Sequence, residues 1–233
     1  LYIANGTLRF TGQVYVPTLN EGGRDYEIGE RAALVLDGSD VFVQQTANNS
    51  TDFTPTPALS YSAPTGVSSA AGQQSFTLFG RVRVEDGTFR VSEPDNGVSL
   101  LFRDASPGVV EVNGGTFEAQ QFTFSGTATT TGVYSVIING GTLRLWGVDP
   151  SPGKEGQTTF HLPFAGNVFT MTGGTLEILQ ATGTGALVIN ADPGNINVTG
   201  GTVRLVKGNE NNNRFEFTSS APFYDLEIVN ELN

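Results

Sequence analysis

The chain has 233 residues, 12 basic against 23 acidic, for a net charge of −11. No basic patch of the kind that grips phosphates stands out, which argues against a nucleic-acid partner. The absence of cysteine excludes disulfides, thiolate-ligated zinc and thiol catalysis.

No apolar run reaches the ~18–20 residues that span a bilayer, so direct membrane insertion is not expected. The chain opens on LYIANGTLRF with no signal-peptide pattern, and reads as a mature or internal piece of a longer protein. The 30 glycines, together with abundant Asn, Thr and Ser, predict many turns and short strands rather than helices.

In chain order, a repeated unit appears. Each copy carries a strand, a glycine corner and a second strand. It begins as ANGTLRF at 4–10 and recurs as VRVEDGTFRVS at 82–92 and VVEVNGGTFEA at 109–119. It returns as VIINGGTLRLW at 136–146, FTMTGGTLEIL at 169–179 and INVTGGTVRLV at 196–206. Anchored after the corner glycine, the copies sit at Thr7, Asp40, Thr88, Thr116, Thr142, Thr175, Thr202 and Asp225. From Thr88 onward the intervals are 28, 26, 33, 27 and 23 residues, within reach of one turn of a β-solenoid.

The earlier, longer intervals imply loop excursions, expected at 12–32 and 46–74. Apolar residues alternate with period two on both sides of each corner, as in Val136/Ile138 and Leu143/Leu145. A third apolar segment lies between units, as at 75–79, 98–102, 158–164, 186–190 and 214–218. A lone strand triple buries little, whereas stacked copies form a continuous inner column. The expected fold is all-β: one right-handed parallel β-helix of about seven to eight coils, spanning 1–233 as a single domain.

The outward residue between the inward pair switches sign from copy to copy. It is Arg90, Glu118, Arg144, Glu177, Arg204 and Glu227. In a parallel stack these would lie ~4.8 Å apart, each Arg beside a Glu. As exposed pairs they would contribute only ~0.2–1 kcal/mol each, but a slip of one coil would set like charges together. Arg83 over Glu111 is a second such pair. The ladder is expected to break at Phe42.

These residues carry a resemblance. The N/T-G-G-T-L/V-x-L/V unit, the irregular coil length and the ending FTSSAPFYDLEIVN look like right-handed parallel β-helix segments of very large secreted surface proteins, including autotransporter-like adhesins. The closing Phe-Tyr-Asp-Leu-Glu-Ile is similar to repeats in long Bacteroidota surface proteins exported by type IX secretion. The resemblance covers most of 80–230 and implies an extracellular, adhesive or scaffolding role. Its implied partners are neighbouring domains of the same polypeptide, a secretion or surface-anchoring protein, or glycans. No family catalytic residue carries over.

Other chemistry is sparse. The alternative readings are a carbohydrate-active β-helix enzyme, lyase or glycosidase, and a non-catalytic carbohydrate-binding module. Inverting glycosidases need two carboxyls ~6.5–9.5 Å apart, one with a raised pKa. The single histidine, His161, alternates with apolar neighbours and is expected to point outward without a catalytic role. Glu85 and Asp86 read as solvated turn acids.

No cofactor is expected. Calcium candidates are Asp37 and Asp40 in LDGSDVF, Asp95 in EPDNG and Asp192 in NADPGN, but none of these loops supplies the 6–8 oxygens calcium takes. Trp146 and Phe42 are the candidates for contact with sugar. A column of Thr116, Thr142, Thr175 and Thr202 is expected to be structural.

Overall fold

The structure, a computed structural model, describes residues 2–18, 26–45, 75–90, 99–103, 108–119, 121–125, 133–145, 147, 158–179, 186–207 and 217–230. Among these residues it is an all-β parallel solenoid with a single short 3-10 turn, Pro193–Asn195.

Three stacked sheets build it, and every strand pairing is parallel. The pre-corner sheet carries Leu8–Phe10, Leu34–Leu36, Val82–Val84, Val110–Val112, Val136–Ile138, Phe169–Met171 and Ile196–Val198 in register. The post-corner sheet follows the glycine. It stacks Val14–Thr18, Val41–Gln45, Thr88–Arg90, Thr116–Ala119 and Thr142–Leu145. It then continues through the later parts of Val168–Ile178 and Ile196–Lys207 to Asp225–Asn230. The third sheet stacks Ser75–Leu78, Ser99–Arg103, Phe122–Ser125, Phe160–Leu162, Leu187–Ile189 and Phe217–Ser219.

Alternation explains the core. Residues at every second position face inward and form one buried cluster reaching from Ile3 to Ala221. Aromatic rings cross the interior between sheets: Phe89 meets Phe117, then Phe122, Phe160 and Phe169, with centroids 5.1, 5.8, 5.7 and 6.0 Å apart. Burying each such ring contributes about 1.5–3 kcal/mol.

The corners require glycine for two reasons. Gly115, Gly141, Gly174 and Gly201 all have positive φ. They also stack on one another: a Cβ on Gly141 would lie 2.4 Å from the Gly115 carbonyl oxygen. That carbonyl accepts the Thr142 N–H at 2.9 Å, so the space is already used by the ladder of backbone bonds.

The N-terminal region departs from expectation in three places. The excursion expected at 12–32 is mostly rungs, because Val14–Thr18 pairs with Val41–Gln45 and Tyr26–Asp37 pairs with Tyr2–Thr11. The copy beginning at Thr7 lies before the corner rather than after it: Thr7 aligns with Ala33, and Ala33 with Arg81. The anchor Asp40 is displaced by two residues, since Phe42 aligns with Thr88 and Gln44 with Arg90.

The cause of the last shift is a longer corner. Residues 37–41 separate Leu36 from Phe42, where 85–87 separate Val84 from Thr88. A difference of two preserves the inward and outward alternation, so the core tolerates it. The excursion expected at 46–74 lies outside the described residues.

Candidate functional site

Among the described residues the charge ladder is the most organised polar feature. Arg90, Glu118, Arg144, Glu177, Arg204 and Glu227 align rung on rung. Arg90 Nε donates to Glu118 at 2.5 Å, and Arg144 Nη1 reaches the other oxygen of Glu118 at 2.9 Å. Arg144 Nε donates to Glu177 at 2.5 Å, and Arg204 Nη1 to its other oxygen at 2.8 Å. Arg204 Nε lies 3.2 Å from Glu227. Each interior carboxylate therefore binds one guanidinium from the rung before and one from the rung after.

The ladder is not the exposed feature expected from its outward position. The Glu118 and Glu177 side chains are only 2% and 6% exposed. Each lies between two long Arg side chains whose aliphatic stems exclude water while their charged ends bond it. Burial alone would lower the Arg144 pKa; hydrogen bonds and charge from Glu177, with Glu118 adding to them, outweigh it and hold the guanidinium above its ordinary value. The break in the ladder falls at Gln44 rather than Phe42, by the register shift described above.

A second polar column runs along the corners beside it. Arg81 and Arg83 both approach Glu111, at 3.1 and 3.4 Å, and Arg83 also pairs with Glu85 at 2.5 Å. Asn113 donates to Glu85 and Glu111 at 3.0 Å each. Asn139 donates to Asn113 at 2.8 Å, and Thr172 Oγ1 donates to Asn139 at 2.8 Å. The Arg83–Glu111 pair is the one expected from sequence; the run of Asn and Thr that extends it was missed. Its signal was present in the Asn or Thr that precedes each glycine pair.

The remaining candidates do not converge. Asp37 is paired with Arg9 at 2.6 Å. Asp40 accepts a bond from the Val14 N–H through its backbone carbonyl at 3.3 Å. Asp192 is exposed before the 3-10 turn, with no side-chain capping bond. Among the described residues no three of His, Cys, Asp or Glu cluster as metal ligands would.

His161 alternates between buried Phe160 and Leu162, is itself half-buried, and has its pKa lowered by burial. Thr116, Thr142, Thr175 and Thr202 do form a column, each aligned with the next. Asp95 and Trp146 lie outside the described residues, and of Phe42 only its backbone register, between Tyr15 and Thr88, is defined. No helix among the described residues is long and apolar enough to cross a membrane.

Comparison of the chain with protein-family models, with curated proteins and with solved structures found no match in any of the three.

Proposed function

We propose that the chain is a structural or adhesive segment of an extracellular bacterial surface protein. In this reading it acts as a stiff β-solenoid that displays loops or adjoining domains. Its partners are then neighbouring domains of its own polypeptide or a surface-anchoring protein. One observation carries the reading: the interior outward carboxylates, Glu118 and Glu177, are each held by two arginines from adjacent rungs. Groups held in that way tie tiers together and are poorly placed for acid–base work on a substrate. The resemblance of the Gly-Gly-Thr unit to long secreted surface proteins supports the location.

Two measurements test the two halves of this proposal. Antibodies to the chain should label intact cells of the source organism, and brief protease treatment of those cells should remove the label; label seen only after lysis would overturn the location. A panel of polysaccharides should show no depolymerisation by the purified chain. Turnover that a single acidic substitution abolishes would overturn the structural role in favour of a β-helix enzyme.

A further inference from the structure

One corner carries a side chain where the next two carry none. The corner at 85–87 aligns with those at 113–115 and 139–141, so Asp86 stands where they have Gly114 and Gly140. The residue after it is Gly87, and a glycine nitrogen has no neighbouring side chain to shield it from attack.

The Asp86 carboxylate folds back onto its own backbone. The Gly87 N–H donates to Asp86 Oδ1 at 2.8 Å. That nitrogen therefore rests against the carboxyl group of the residue before it, a contact that favours an intramolecular step by holding both groups in place. Asp86 is exposed to water and Gly87 is buried.

The other Asp–Gly and Asn–Gly corners hold their groups apart. Asp37, before Gly38, turns its carboxylate to Arg9 at 2.6 Å. The Gly114 and Gly140 N–H groups donate to the Val84 and Val112 carbonyls at 3.2 and 3.3 Å. The amides of Asn113 and Asn139 are tied into the corner column. Attack there must first break bonds between tiers, whereas the Gly87 N–H bonds the very group it would attack.

We propose that Asp86–Gly87 is a site of spontaneous backbone isomerisation. The Gly87 nitrogen bonds to the side-chain carboxyl carbon of Asp86 and gives up its proton. A hydroxyl leaves that carbon and departs with a proton as water. The five-membered imide ring then takes up one water. Opening at the side-chain carbonyl restores aspartate; opening at the main-chain carbonyl routes the backbone through the side chain, as isoaspartate. No electrons are exchanged, and water is the one co-reactant.

The product adds a methylene between Asp86 and Gly87. It has room only outward, because Gly87 rests on the preceding tier: a Cβ there would lie 2.5 and 2.6 Å from the Val41 and Gly38 carbonyl oxygens. The Gly87 carbonyl also accepts the Thr116 N–H at 2.8 Å. Isomerisation therefore loosens the corner at which the irregular N-terminal tiers meet the regular ladder. The inference rests on corner geometry and is independent of the extracellular reading.

The test holds the folded full chain at neutral pH in heavy-oxygen water, then digests it with trypsin in ordinary water. The peptide at 84–90, VEDGTFR, should split into two chromatographic peaks of the same composition and carry heavy oxygen. Its conversion should exceed deamidation at Asn113 and Asn139 by about tenfold or more. In denaturant the order should invert, because an amide releases ammonia to backbone attack more readily than an ionised carboxylate releases hydroxide. Asp86→Glu keeps the charge but can close only a less favoured six-membered ring. It should abolish the split while the circular dichroism stays unchanged.

A single 84–90 peak from the folded chain, or Asn113 or Asn139 reacting first in it, would overturn the inference. So would the same order of sites in denaturant, or oxygen uptake that survives in Asp86→Glu.

Discussion

Glu177 and Glu227 occupy the same column, two rungs apart, in the same sequence context, and differ almost entirely in surroundings. Glu177 is 6% exposed and bonded from both sides; Glu227 is 54% exposed and bonded from one. The sequence unit is alike, TLEI against DLEI. What differs among the described residues is that a rung pairs with Glu177 on either side and with Glu227 on one. In a solenoid, each tier is the environment of the next, so a charge pair gains its worth from burial by neighbours rather than from its own residues. The glycines repeat the lesson. Gly141 sits on the tier below it, whereas Gly12, with φ +74°, has nothing within 4 Å of an added Cβ.

The largest effects should therefore come from breaking the interior. Glu177→Ala leaves Arg144 and Arg204 facing an empty site and should cost about 3 kcal/mol, the low end for a broken buried pair because Arg204 still reaches water. Glu227→Ala should cost under about 1 kcal/mol. Chemical denaturation of both variants checks the contrast, and equal losses would show that the interior ladder is not special.

Gly141→Ala adds a Cβ against backbone that has no room to move, on top of an unfavourable positive φ. It should cost about 3 kcal/mol. Gly12→Ala carries only the conformational penalty, about 1–2 kcal/mol. The thermal midpoints of the two variants rank them directly.

Exchanging the charges of one pair probes the interior more finely. Arg144→Glu should be severely destabilising, since it sets three carboxylates in successive rungs. Adding Glu177→Arg to it should recover only part of the loss, because Arg204 then faces a like charge on the rung before it. A double-mutant cycle measures the coupling, expected at about 1–3 kcal/mol.

The smallest effect concerns pH. Burial lowers the His161 pKa in the folded state. The unfolded chain then binds the proton more readily than the folded one. This site's contribution is fully present above the ordinary histidine value, about 6.5, and declines as pH falls below it. Midpoints compared at pH 7.5 and 5.5 should fall less for His161→Gln than for the unchanged chain; parallel shifts would assign the acid sensitivity elsewhere.

Much of the fold was legible in the residues. From Thr88 onward the glycine corner, the period-two alternation and the Arg/Glu switch all specify one register, and the ladder rungs obey it. Legibility failed at the N-terminus for a physical reason. ANGTLRF has the same local pattern as GGTLRL, and a pattern of alternation reads identically on either side of a corner. Only pairing partners separate the two, and those place Thr7 before it. Likewise, a corner longer by two residues leaves the alternation intact, so no local cue marks the shift from Phe42 to Gln44.

Which residues face inward, and which charges meet from Arg90 onward, could be read from the chain alone, because both follow from a strand period of two and a repeated glycine corner. How deeply each outward charge is buried and which glycines carry a steric demand emerged only once the tiers were stacked. Those properties depend on the tier above and the tier below, and no single repeat contains its neighbours.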